Sequence, residues 1–168
     1  YEDAALMAAT RRVARFPGFA GRSDTGLEES VLGNLVADGM LAATRETSAG
    51  GAQIAFMNST GVRPPGLEPD GEGFVTFGQL YTVQPFGNNL IVMTLSGAEL
   101  KLLLEQQFDE IAFNQLLTVS QGFAFSYDTS QPIGQRIAAL SLNGRPVDPA
   151  TDYRIVTNNF LAAGGDSF

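Results

Sequence analysis

Apolar residues recur at Leu6, Ala9, Val13 and Phe16, a spacing that predicts a helix over residues 2–16. Glu2 and Asp3 at its start and Arg11, Arg12 and Arg15 at its end suit the helix dipole. Pro17, Gly18, Gly21, Ser23 and Asp24 then break the pattern and mark a linker. Thr25 and Glu28 have capping-box spacing, and the face Leu32, Leu35, Val36, Met40 predicts a second helix to about Thr44.

Beyond that point the period shortens. Residues 52–57 read as a buried strand, 59–73 as a Pro- and Gly-rich loop, 74–76 as a short strand and 77–83 as a short helix. Residues 90–95 are continuously apolar, which predicts a strand covered on both faces. Ser96 and Glu99 form another capping box, opening a helix to about residue 110 with Leu100, Leu103, Leu104 and Phe108 inward. Strands follow at 116–119, 123–127 and 137–142. Asn143-Gly144 is a hairpin turn signal, residues 145–147 return from it, and 153–157 form the last strand. Two helices followed by strands mixed with a further helix define an α+β fold, a mixed sheet packed with helices.

Composition narrows the chemistry. With 44% hydrophobic and 17% charged residues over 168 positions, the chain can bury a core. The net charge of −8 and the absence of any basic run argue against a nucleic-acid surface. No apolar run is long enough to span a membrane. There is no Cys and no His, so disulfides, thiolate metal sites, imidazole bases and the Ser-His-Asp relay are all excluded from this chain. Asp109 and Glu110 are adjacent on a helix and cannot work as an acid–base couple. A first residue that is Tyr1 suggests that further residues precede it.

Polar, Gly-containing segments at strand ends are the candidate chemistry. In Asn58-Ser-Thr-Gly-Val-Arg63 a strand delivers an Asn, a tight turn and an Arg kept extended by Pro64. Arg63 suits a carboxylate or phosphate, or is simply a surface residue in a turn. Phe86 in Pro85-Phe-Gly-Asn-Asn89 either offers a ring face to a planar ligand or plugs the end of the sheet. Gly122, in Val119-Ser-Gln-Gly-Phe123 between two strands, marks a bulge or tight bend. In Asn159-Phe-Leu-Ala-Ala-Gly-Gly-Asp166, an aromatic precedes a Gly-Gly turn and a carboxylate. That Asp166 suits a sugar diol, or is a turn residue held by its own backbone.

Taken in this order, Gly33-Asn-Leu-Val-Ala-Asp38, Asn58-Ser-Thr-Gly-Val-Arg63, Val83-Gln-Pro-Phe-Gly-Asn88 and Asn159-Phe-Leu-Ala-Ala-Gly-Gly-Asp166 resemble the C-terminal domain of the 5′-nucleotidase and UDP-sugar hydrolase family. The likeness runs from about Glu29 to the end. It implies a parent hydrolase acting on nucleoside 5′-phosphates through water activated by metal ions. Two divalent metals would sit in an N-terminal metallophosphatase domain, this chain's partner within the same protein, so no catalytic or metal-binding residue is expected here and the chain alone should be inactive. Relatives acting on UDP-sugars or 2′,3′-cyclic nucleotides stay open as alternatives, as does a free-standing nucleoside-binding module.

The resemblance assigns Phe86 and Phe160 to a nucleobase sandwich, Asp166 to the ribose hydroxyls, Asn88 to the base edge and Gly122 to the pocket backbone. It turns Arg63 and Asn58 toward the phosphates. Residues 1–24 would be a connecting helix and linker and 25–168 the nucleotide-binding domain. A periplasmic, cell-surface or secreted location is implied, as is a terminal segment beyond Phe168. Thr60 stands where the family usually has Gly, and Gly26 where many members carry another phosphate-facing Arg.

Overall fold

The structure, a computed structural model, describes residues 2–22, 29–109 and 115–168. The Thr25–Glu28 capping box, Gly26 and Glu110 lie outside the described residues. The mixed α/β architecture agrees with the α+β expectation.

Its centre is a four-stranded sheet. It is built from β2 (Ile54–Met57), β4 (Leu90–Ser96), β5 (Thr118–Val119) and β9 (Asp152–Asn158), in the order β4-β9-β2-β5. β2 runs parallel to β9, and β4 and β5 pair antiparallel at the two edges. Side chains on a strand alternate between faces, and β2 shows the consequence. Ile54 and Phe56 enter one core with Leu100, Leu104 and Ile155, while Ala55 and Met57 enter another with Leu32, Met40 and Val156.

Helix α2 (Val31–Thr44) covers the second face. Ser30 caps it by accepting a 2.9 Å hydrogen bond from the Gly33 amide. Its buried stripe is Leu32, Ala37, Met40 and Thr44, rotated slightly from the face read in the sequence. Helix α4 (Gly97–Glu105) covers the first face and opens with the expected Ser96–Glu99 capping box. Its last residue, Glu105, is buried and accepts the amides of Arg136 (2.9 Å) and Ile137 (2.7 Å). It thereby ties α4 to the three-stranded sheet of β6 (Phe123–Tyr127), β7 (Ile137–Leu142) and β8 (Arg145–Pro146).

Two expectations need correction. Helix α1 is Glu2–Thr10 and stops short of residue 16, because Arg12–Arg15 forms strand β1 against β3 (Phe74–Thr76). The clasp depends on the arginines. Arg12 reaches Asp70 at 2.6 Å and also pairs with Glu72, and the Arg12 and Arg15 guanidiniums lie 4.8 and 5.4 Å from the Phe74 ring centre. Long-range pairing of this kind overrides local helical periodicity. Asp70 accepts the amides of Phe74 (3.0 Å) and Glu72 (2.9 Å), which, with Arg12, hold its carboxyl below the usual carboxylate range. The second correction concerns β4. It is an edge strand, with Met93 and Leu95 against one core and Val92 against the other, and Leu90 left exposed.

Helix α3 (Phe77–Val83), with its Thr76–Gln79 capping box, and the short α5 (Asn159–Ala162) complete the elements that frame the site.

Candidate functional site

Three chain segments meet at the carboxyl end of β2 and β9. The first leaves β2 at Asn58, makes a 3₁₀ turn over Ser59–Gly61 and continues to Arg63. The second is the loop 84–89 between α3 and β4, carrying Phe86 and Asn88. The third is α5, with Phe160, and the 3₁₀ turn Gly165–Ser167, with Asp166. Together they enclose a cavity of about 280 Å³. Asn58, Arg63, Phe86, Asn88, Phe160 and Asp166 all line it, as do Thr60 and Gly61.

Six of the seven sequence-derived candidates therefore converge, and Gly122 does not. It sits in the bend between β5 and β6, where its carbonyl accepts the Asn143 amide at 2.7 Å. Its φ of +94° suits glycine, and a Cβ there would come within 2.5 Å of Asn143 Oδ1. That is the geometry of a bend braced against the Asn143-Gly144 turn.

The aromatics are not core plugs. Phe86 is 39% exposed and Phe160 46%. Ring contacts among the described residues join Phe56 to Phe123 and Phe108 to Tyr127, but none joins Phe86 to Phe160. The two rings thus stand on one cavity without closing on each other. Gly165 shapes one of them: a Cβ there would fall within 2.5 Å of the Phe160 ring, so only glycine lets the turn carrying Asp166 pass so close. On the other side the Arg63 guanidinium lies 5.2 Å from the Phe86 ring centre, within cation–π range.

Hydrogen bonds knit the segments together. Asn89 N donates to Asn159 Oδ1 at 2.9 Å and Asn159 N donates to Asn89 O at 2.9 Å, fixing the Phe86 loop to α5. Gln84 Nε2 donates to Gly61 O at 3.1 Å, tying that loop to the Arg63 turn. Asn158 Oδ1 caps α5 by accepting Leu161 N at 2.8 Å, while its Nδ2 donates to Asn58 Oδ1 at 3.0 Å.

Asn58 is 3% exposed, and its amide is fully engaged. Both hydrogens are directed inward, one to Thr60 Oγ1 at 2.8 Å and one to Asp166 Oδ2 at 2.7 Å. Its geometry is that of a residue that positions Asp166. Asp166 and Ser167 both have left-handed backbones, φ 56° and 67°, a conformation that costs of order 1 kcal/mol per residue unless its surroundings enforce it. The bonds from Asn58 and Thr60 supply that enforcement.

Thr60 and Asn158 are site residues that sequence reasoning did not select. Thr60 stood out there only as a departure from a family pattern, and Asn158 has no signal beyond ending a strand.

Among the described residues no group of three or more acidic side chains could hold a metal ion. The described residues thus offer no site for the two metals, which the family resemblance places in a separate domain.

The sheet-centred α/β module thus carries a cleft that sets two open phenyl rings beside a guanidinium and a carboxylate. Residues 8–168 match the family model described as "5′-nucleotidase, C-terminal domain", and the chain belongs to that family. It is 37% identical over 157 residues to the trifunctional nucleotide phosphoesterase protein YfkN of Bacillus subtilis, covering 88% of this chain and 10% of that protein. It is 31% identical over 151 residues to protein UshA of Yersinia enterocolitica, covering 88% and 24%. The crystal structure of a 5′-nucleotidase precursor from Thermus thermophilus superposes with a TM-score of 0.83 at 35% identity, covering 99% of this chain and 33% of that one. The chain thus spans between a tenth and a third of the length of these relatives.

Proposed function

We propose that this chain is the substrate-binding domain of a 5′-nucleotidase-type phosphohydrolase and holds the nucleoside part of a nucleoside 5′-phosphate. The observation that carries the reading is the pair Phe86 and Phe160, two half-exposed rings on one cavity whose remaining walls present Asp166 and Arg63. A base between two rings gains stacking on both faces. Asp166 accepts hydrogen bonds from the sugar, Asn88 offers an amide to the base edge, and Arg63 meets a phosphate with a planar cation.

Hydrolysis belongs, in this reading, to a metallophosphatase domain of the same protein, whose bound metals would activate the attacking water. This chain binds and orients, and by itself hydrolyses nothing. Helix α1, with Leu6 and Met7 exposed, suits a connection to that domain. The boundary then falls near residue 11, since Arg12 onward is paired into the fold. A location outside the cytoplasm follows from family resemblance, and fractionation of cells producing the protein tests it.

The reading is tested by calorimetric titration of the chain with adenosine and AMP. Saturable binding that Phe86→Ala weakens by about 1–3 kcal/mol is expected. Absence of binding to either ligand, or binding indifferent to Phe86, contradicts it.

A further inference from the structure

Resting on that reading, we propose that Thr60 determines how the site treats the two sugar hydroxyls: with Asn58 it fills Oδ2 of Asp166 and leaves Oδ1 alone to meet the sugar. Asp166 Oδ2 accepts from Asn58 Nδ2 at 2.7 Å and from the Thr60 hydroxyl. A carboxylate oxygen offers two lone-pair sites, so Oδ2 is full.

The direction of each proton in the network follows from its neighbours. Asn158 donates to Asn58 Oδ1, which leaves the Asn58 amide hydrogens for Thr60 Oγ1 and Asp166. Thr60 Oγ1 already accepts from Asn58, and its single hydrogen goes to the carboxylate. Every donor therefore points at Oδ2, and the buried Asn58 and Asn158 cannot turn away without losing partners. Oδ1 accepts no hydrogen bond among the described residues, and Asp166 lines the cavity.

This changes sugar recognition. A carboxylate with both oxygens free can bridge a cis-diol, one hydroxyl to each oxygen. With Oδ2 filled, a single oxygen meets both hydroxyls only at poor angles. One hydroxyl then makes the charge-assisted bond and the other adds little. The site should tolerate loss of one hydroxyl and resist loss of the other.

The test is calorimetric titration of the full chain with adenosine, 2′-deoxyadenosine and 3′-deoxyadenosine, for wild type, Thr60→Val and Thr60→Ser. For wild type, one deoxynucleoside should bind within about threefold of adenosine and the other about tenfold more weakly or worse, the scale of one charged hydrogen bond. Thr60→Val removes the hydroxyl at nearly constant shape and opens Oδ2, so both deoxynucleosides should then fall about tenfold below adenosine. Thr60→Ser keeps the hydroxyl and should behave as wild type. The proposal is overturned if wild type already loses about tenfold with both deoxynucleosides, or binds all three alike. It is also overturned if Thr60→Val leaves the wild-type pattern unchanged. Should Thr60→Val not fold, the wild-type and Thr60→Ser profiles still decide. Failure of adenosine itself to bind would overturn the nucleoside reading and this proposal with it, a result distinct from adenosine binding with the wrong hydroxyl pattern.

Discussion

Asn89 and Asn159 hold each other twice, each donating its backbone amide at 2.9 Å, one to a side-chain oxygen and the other to a carbonyl. The pair sets the separation between the loop that carries Phe86 and the helix that carries Phe160. Asn159→Ala removes one of the two bonds and should weaken adenosine binding by about two- to tenfold, the scale of one neutral hydrogen bond. Titration calorimetry measures it. Unchanged affinity would mean that the ring spacing is held some other way.

Arg63 lies against Phe86, 5.2 Å from the ring centre to the guanidinium carbon, so a cation adjoins one aromatic wall of the cavity. Arg63→Ala should weaken AMP binding by about tenfold or more, through loss of a charged hydrogen bond. Adenosine should lose only a few-fold, through the missing cation–π contact. Equal losses for both ligands would remove Arg63 from phosphate recognition.

Each ring should matter separately. Phe86→Ala and Phe160→Ala should each lower nucleoside affinity by about 1–3 kcal/mol, the usual worth of one base–aromatic stack. Both side chains are half-exposed, so thermal stability should change little. A large fall in melting temperature would mark them as core residues instead.

The β1–β3 clasp should respond to pH. The Phe74 and Glu72 amides and Arg12 lower the Asp70 carboxyl below its ordinary range. A lowered carboxyl contributes stability that is present above the unfolded-state range, about pH 4–5. That contribution is lost as pH falls through the lower folded value. The melting-temperature gap between wild type and Asp70→Asn should thus be open near neutrality and close as the solution is acidified. A gap that is constant or widens in acid would exclude the mechanism.

Glu105 links α4 to β7 through two backbone amides, and it is buried. Glu105→Ala leaves both donors without a partner and should destabilise the chain by about 2–4 kcal/mol, measured by denaturant unfolding. Glu105→Gln, which keeps one acceptor, should recover part of it.

Elements with a local signal were legible in the sequence. The Ser96–Glu99 box opens α4, Asn143-Gly144 turns β7 into β8, and the buried run at 52–57 contains strand β2. What escaped depended on distant partners. Arg12–Arg15 carries a helical pattern, yet Phe74, Asp70 and Glu72, about 60 positions on, make it a strand. The continuous apolar run of β4 gave no sign that the strand lies at a sheet edge.

At the site, motif order singled out six residues that the fold brings to one cavity, each lying at or just past the end of a strand or helix. Asn58 appeared to be a ligand contact because an Asn at a strand end is compatible with either role. Only the fold brings Asn158 and Asp166 within reach of its amide. Gly122 shared the same signature of a Gly between strands, and its bend faces Asn143 instead.

The most direct test of the central claim is a two-dimensional NMR titration of the isotope-labelled chain with adenosine, following backbone amides. Saturable shifts concentrated at residues 58–63, 84–89 and 159–167 are expected, with Gly122 unmoved. Shifts that map elsewhere, or no saturable shift, would contradict the claim that this cavity holds the nucleoside.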